Sequence, residues 1–215
     1  MNQAITYQVD SPLQVLDFSA MGFLLPLLFF ILFSFYRFSE RIVYWSAIAA
    51  ILASYGSLFY FLKPLVNPHQ YYILDWFSIA QSKFQITLLI DNTCFWVLSM
   101  IHLVTLMVII FSGYYMKAEL RFEKYFAYIL FFFTAMFGLV LSNNLFLTYI
   151  FWELVGFASY ALIGFWRTKD SAILANKKAF IINRIGDLGF LAAICILFNQ
   201  FQMKPRIKYP NYRMN

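Results

Sequence analysis

Four ionisable side chains lie inside or beside apolar runs long enough to cross a bilayer, and they are where this sequence can do chemistry: Glu153, Lys178, Arg184 and Asp187. Glu153 stands about 12 Å along the run 145–166, near its middle. A charge at the centre of a bilayer costs at least a few kcal/mol on insertion scales, and such residues face a bundle interior with a partner. Two readings of Glu153 stay open. It is a hydrogen-bonded or protonated link between helices, or it is a carboxylate on a proton or ion path. Arg184 and Asp187 are three apart, share a helix face and can pair, which lowers the membrane cost of both. That pair is either structural or part of a path. Lys177 is seven residues before Arg184 and on the same stripe, while Lys178 is one position round. Either lysine can snorkel to the interface. His102 is a secondary candidate: a satisfied core histidine or a proton carrier. A stripe of Lys, Arg and Asp beside a mid-membrane Glu resembles a hydrated proton path more than a lipid-facing surface.

The elements that must position these groups follow from composition. The chain has 215 residues, 62% hydrophobic and only 12% charged. Soluble domains are about half apolar and roughly a quarter charged, so a soluble or disordered domain is excluded. Two cysteines, Cys94 and Cys195, sit in apolar runs and exclude a disulfide scaffold. The net charge of +6 comes from Lys and Arg placed mostly between and after the apolar runs. That distribution sets membrane topology and argues against a nucleic-acid partner. Residues with AT-rich codons (Phe, Tyr, Met, Ile, Asn, Lys) are in marked excess over Gly, Ala, Arg and Pro, which hints at an organellar genome.

Six apolar spans are expected, near 20–36, 42–62, 92–115, 125–141, 145–166 and 179–201. Most have a length that matches a hydrocarbon core of about 30 Å. Between the second and third, Phe84, Ile86 and Leu88 alternate with Gln85 and Thr87, the period of a strand. A β-hairpin turning near Gln81 and Ser82 is predicted, lying on the membrane surface because an open sheet edge cannot face lipid. The fold class is therefore an all-α membrane protein of six transmembrane helices with one short surface hairpin. Its organisation reads as residues 1–70 (an N-terminal extension and two helices), 71–91 (the hairpin), 92–201 (helices three to six) and 202–215 (a polar, basic tail).

Connections alternate in charge. Arg37 and Arg41 lie between spans one and two, Lys117, Arg121 and Lys124 between three and four, and Arg167, Lys169, Lys177 and Lys178 between five and six. The N-terminus and the connection Ser142-Asn143-Asn144 carry no basic residue. The positive-inside rule puts the N-terminus and the hairpin outside. The basic tail breaks this pattern. With no positive n-region, a cleaved signal is not expected. Asp91 is placed to cap the third helix. Gly156 and Ser159 are small residues that would let another helix approach. There is no GxGxxG, Walker A, CxxC or His cluster, so no nucleotide, flavin, haem, iron–sulfur or metal cofactor is expected on this chain.

The segments FWELVGFASYALIGFW (151–166) and ANKKAFIINRIGDLGFL (175–191) closely resemble the antiporter-like subunit 5 of respiratory complex I, the NADH:ubiquinone oxidoreductase. Residues 88–116 and 121–150 resemble the same family, as does the hairpin before them. The large subunit of Mrp-type cation/proton antiporters shares much of the motif. The resemblance implies that Glu153 matches a Glu that faces a Lys on a broken seventh helix and tunes its proton affinity. It implies that Lys178, Arg184 and Asp187 match the Lys and the Arg–Asp motif of the family's sixth helix.

Members of that family are much longer, with two inverted five-helix repeats after three initial helices. This sequence ends after its sixth span, before the broken helix. The expectation is an N-terminal part of a split subunit, completed by a second chain that carries the Lys, alongside other membrane-arm subunits and lipids. Two alternatives are a non-pumping structural subunit of the same complex and a fragment of an Mrp-type antiporter. As part of an NADH:quinone oxidoreductase the chain would hold no redox site itself. The expected location is the mitochondrial inner membrane, with a bacterial plasma membrane as the alternative.

Overall fold

The computed structural model describes residues 19–60, 69–79, 82–117 and 119–203. Six helices and two strands follow in the order α1 (Ser19–Phe35), α2 (Glu40–Tyr60), β1 (His69–Ile79), β2 (Ser82–Ile90), α3 (Asn92–Tyr115), α4 (Phe122–Leu141), α5 (Leu145–Ile163) and α6 (Asp170–Met203). Helices α2 to α6 are long and apolar enough to cross a membrane, whereas the apolar part of α1, Gly22–Phe35, is shorter. The chain is an integral membrane protein built of apolar helices.

Residue chemistry sets several helix ends. Asp91 Oδ1 accepts the Cys94 amide at 2.7 Å and Asn144 Oδ1 accepts the Leu147 amide at 2.7 Å, each satisfying a donor that the first turn leaves free. The short Ser142–Asn144 connection thus turns the chain tightly from α4 into α5. The sixth helix departs from expectation. It starts at Asp170, not near 179, and runs for 34 residues, about 51 Å. Ala, Leu and Lys continue the helix well before the apolar run begins, and Asp170 suits the positive end of its dipole. Lys177 and Lys178 are therefore helical, not loop, residues. Lys124 likewise lies inside α4.

The strands pair antiparallel, from His69 opposite Ile90 to Ile79 opposite Ser82, with irregular register near Tyr72–Leu74 and Asp75–Phe77. The turn was expected near Gln81 and Ser82; Gln81 lies outside the described residues, as does the basic tail, and Ser82 is the first residue of β2. β2 is tied to the α4–α5 connection by the Asn143 amide, which donates to Thr87 O at 3.3 Å, and by a bridge between Leu88 and Ser142. That docking buries Thr87, although the alternation put it on the polar face.

The core lies among α1, α2, α3 and α4, where Phe33, Val43, Ile51, Leu98, Ile109, Phe126, Phe133 and Phe137 are buried together. α4 is the central helix: 56% of its apolar stretch is inside the bundle, against 11% for α5 and 6% for α6. Glycines let helices close in where aromatic rings arrive. Phe151 packs on Gly138 between α5 and α4, and Tyr44 packs on Gly113 between α2 and α3. Gly156 does not serve this purpose, since nothing lies within 4 Å of where its Cβ would be.

Candidate functional site

Helices α5 and α6 run side by side at the open edge of the bundle. Adjacent residues on a helix point about 100° apart, so Trp152 and Glu153 present two different groups to α6. Arg184 and Asp187 share one face of α6 and answer them. Arg184 Nη1 forms an ion pair with Glu153 Oε2 and lies 3.7 Å from Asp187 Oδ2. Trp152 Nε1 donates to Asp187 Oδ1 at 2.9 Å. Asp187 is the only buried carboxylate among the described residues, with 8% of its surface exposed.

Aromatic rings flank the charges. The guanidinium of Arg184 sits over the Phe180 ring at 5.1 Å, a cation–π contact. Phe190 meets Trp152 and Tyr149 edge-on at 5.9 and 5.7 Å. One guanidinium thus serves two carboxylates. The cluster is not sealed: the Arg184 side chain is 39% exposed on the open side of α6.

A cavity of about 930 Å³ adjoins the cluster, bounded by α4, α5 and α6. Its walls are mainly apolar, with Ser142, Thr148, Ser159, Asn183 and Asp187 as the polar groups, and Gly156 and Gly186 keep it open. Gly156 and Ser159, expected to admit another helix, here border this space.

The structure brings three of the expected residues together, Glu153, Arg184 and Asp187. It leaves the lysines apart. Lys177 and Lys178 are exposed and carry no ion pair among the described residues. His102 belongs to a different place, the crossing of α2, α3 and α4. It is 3% exposed, bonded to Leu98 O at 2.7 Å and to Ser54 Oγ at 2.9 Å, and enclosed by Tyr55, Phe133 and Phe137. None of these partners is another candidate. Trp152 is the site residue that sequence reasoning missed. Its position next to Glu153, with an indole N–H inside an apolar helix, was the available signal.

The chain is thus an apolar helical membrane bundle with a Glu–Arg–Asp cluster between two neighbouring spans at its edge. Residues 142–204 match the family model described as NADH:quinone oxidoreductase/Mrp antiporter, TM, and residues 76–126 match the one described as NADH-Ubiquinone oxidoreductase (complex I), chain 5 N-terminus. The chain is 43% identical over 154 residues to the chloroplastic NAD(P)H-quinone oxidoreductase subunit 5 of Physcomitrium patens, covering 70% of this chain and 21% of that one. To the Carpenteria californica protein of the same description it is 46% identical over 131 residues, covering 60% and 18%. The fold is similar to a chain of the membrane-bound sulfane sulfur reductase, an archaeal respiratory membrane complex, at TM-score 0.67 and 17% identity, over 85% of this chain and 28% of that one.

The chain belongs to the family of antiporter-like subunit 5 of the NADH:quinone oxidoreductases and matches its N-terminal portion. It spans about a fifth of the length of the curated relatives it matches.

Proposed function

We propose that this chain contributes part of a proton-translocating half-channel to the membrane arm of an NAD(P)H:quinone oxidoreductase, with electron transfer carried by other subunits. The observation that carries this reading is the Glu153–Arg184–Asp187 cluster, two carboxylates on one guanidinium beside a mainly apolar cavity at the edge of the bundle. Glu153 modulates a Lys supplied by a second chain that carries the rest of subunit 5, including its broken seventh helix. A carboxylate near a buried Lys favours the charged amine, and drawing Glu153 toward Arg184 instead favours its deprotonation. Arg184 and Asp187 hold the first half-path, and Lys178 stands at its inner mouth with Lys177 beside it. His102 is a secondary proton carrier in the same reading. The poor burial of α5 and α6 supports a partner on this face, where other membrane-arm subunits and lipids also pack.

The membrane is an energy-transducing organellar one, with the N-terminus on the outer side. Composition and family resemblance support the mitochondrial inner membrane, and the chloroplastic relatives favour the thylakoid as the alternative. Immunodetection in purified organelles separates the two.

The test is Glu153→Gln in the assembled complex. The complex should form and still oxidise its electron donor, while protons moved per electron fall. Unchanged coupling would overturn the pumping role. It would favour the second reading, a structural subunit, which the closure of the Glu153–Arg184 pair within one chain supports. The motif shared with Mrp-type antiporters gives a third reading, excluded if the chain co-purifies with a redox arm.

A further inference from the structure

The cation-rich end of the bundle contains a second cavity, about 430 Å³, where α4 begins, α5 ends and α6 begins. Four cations line it, Arg121, Lys124, Arg167 and Lys177, and no carboxylate does. None of the four has an ion-pair partner among the described residues. Arg121 is held in place, since Nη2 donates to Phe165 O at 2.8 Å and the guanidinium lies 5.4 Å from the Phe165 ring. Its other N–H groups stay available. Asn176 lines the same cavity, and its Oδ1 is a buried polar atom without a partner. An unpaired buried amide oxygen costs free energy that a ligand hydroxyl donating to it would recover.

Charge decides what kind of ligand this is. Four cations without an ion-pair partner among the described residues repel a metal ion and attract an anion. Its size falls within the usual range of ligand pockets, about 300–1,000 Å³. Its depth points to a lipid. The helix ends that form it sit among Tyr128, Tyr160 and Trp166, and Trp and Tyr mark the headgroup level of a bilayer. Phe157 and Ile173 add apolar wall for an acyl chain. Basic pockets between spans on this side of a membrane hold anionic headgroups.

We propose that this cavity binds the phosphate of an anionic phospholipid. Lys124, Arg167 and Lys177 neutralise the phosphate, and Asn176 Oδ1 accepts from a hydroxyl of the headgroup.

The full chain is reconstituted in nanodiscs of phosphatidylcholine with or without phosphatidylglycerol, and retained lipid is counted by native mass spectrometry. Phosphatidylglycerol should be retained and should raise the melting temperature, whereas phosphatidylcholine should do neither. The Lys124→Gln/Arg167→Gln/Lys177→Gln variant should retain at least tenfold less. The Arg37→Gln/Arg41→Gln/Lys117→Gln variant removes equal charge elsewhere and should retain it normally. Equal loss in both variants would show diffuse surface charge and overturn the site. So would reproduction of the thermal shift by inorganic phosphate alone, which would mean a soluble anion. The preference of the unmodified chain for one lipid over the other needs no variant, so a triple variant that fails to fold leaves that comparison decisive, and equal retention of the two lipids refutes the proposal.

Discussion

Trp152 donates its indole N–H to Asp187 at 2.9 Å while its chain neighbour Glu153 takes Arg184. Two consecutive residues of α5 thus hold two residues of α6 one turn apart. The lock keeps the carboxylate of Asp187 from depending on Arg184 alone, which lies 3.7 Å away. Trp152→Phe retains the ring and removes the donor. A hydrogen bond to a charged group contributes about 1.5–3 kcal/mol, so the variant should unfold more easily by roughly that amount. Detergent titration of the reconstituted chain measures it.

Arg184 is the shared cation, so its removal should cost more than removal of either acid. Arg184→Met leaves Glu153 and Asp187 without their cation. Breaking a buried pair costs about 3–5 kcal/mol, and the partial exposure of Arg184 reduces this to roughly 2–3. Adding Glu153→Gln to Arg184→Met should restore part of the loss. A double-mutant cycle in detergent unfolding gives the coupling, and an absent coupling would mean that the two side chains do not interact.

Gly138 and Gly156 should behave oppositely. A methyl group at Gly138 meets the Phe151 ring, whereas at Gly156 it meets open space. Gly138→Ala should destabilise by about 1–3 kcal/mol, the usual cost of overpacking. Phe151→Leu in the same chain should relieve it. Gly156→Ala should be neutral or slightly stabilising, by up to about 1 kcal/mol from helix propensity. Melting temperatures of the four proteins decide the matter.

Asp91 begins α3 directly after β2, so its cap fixes the angle between strand and helix. Asp91→Ala should cost about 0.5–2 kcal/mol, while Asp91→Asn or Asp91→Ser should keep most of the stability. Hydrogen exchange of the first turn of α3 locates the effect.

Much of this is legible in the sequence. Hydropathy and length predicted the helices, because an apolar run of about 20 residues has few alternatives in a bilayer. Asp91 read as a cap because side-chain capping is local chemistry. The spacing of Arg184 and Asp187 placed them on one face. The start of α6 was misplaced by hydropathy, since the polar segment 170–178 is a good helix former that adds nothing to an apolar count. The pairing of Arg184 with Glu153 was not legible either, because it depends on how two helices are rotated against each other.

Local physics therefore determined what this protein is made of: its spans, its basic connections, its caps and the identity of the charges inside the membrane. Only the tertiary structure decided which of those charges meet. It put Asp187 on Trp152 and Arg184 on Glu153, separated His102 from both, and set Lys177 in one cavity with the cations at the start of α4 and the end of α5. Residues far apart in the chain become neighbours through helix rotation and contact, which the periodicity of a single helix does not encode.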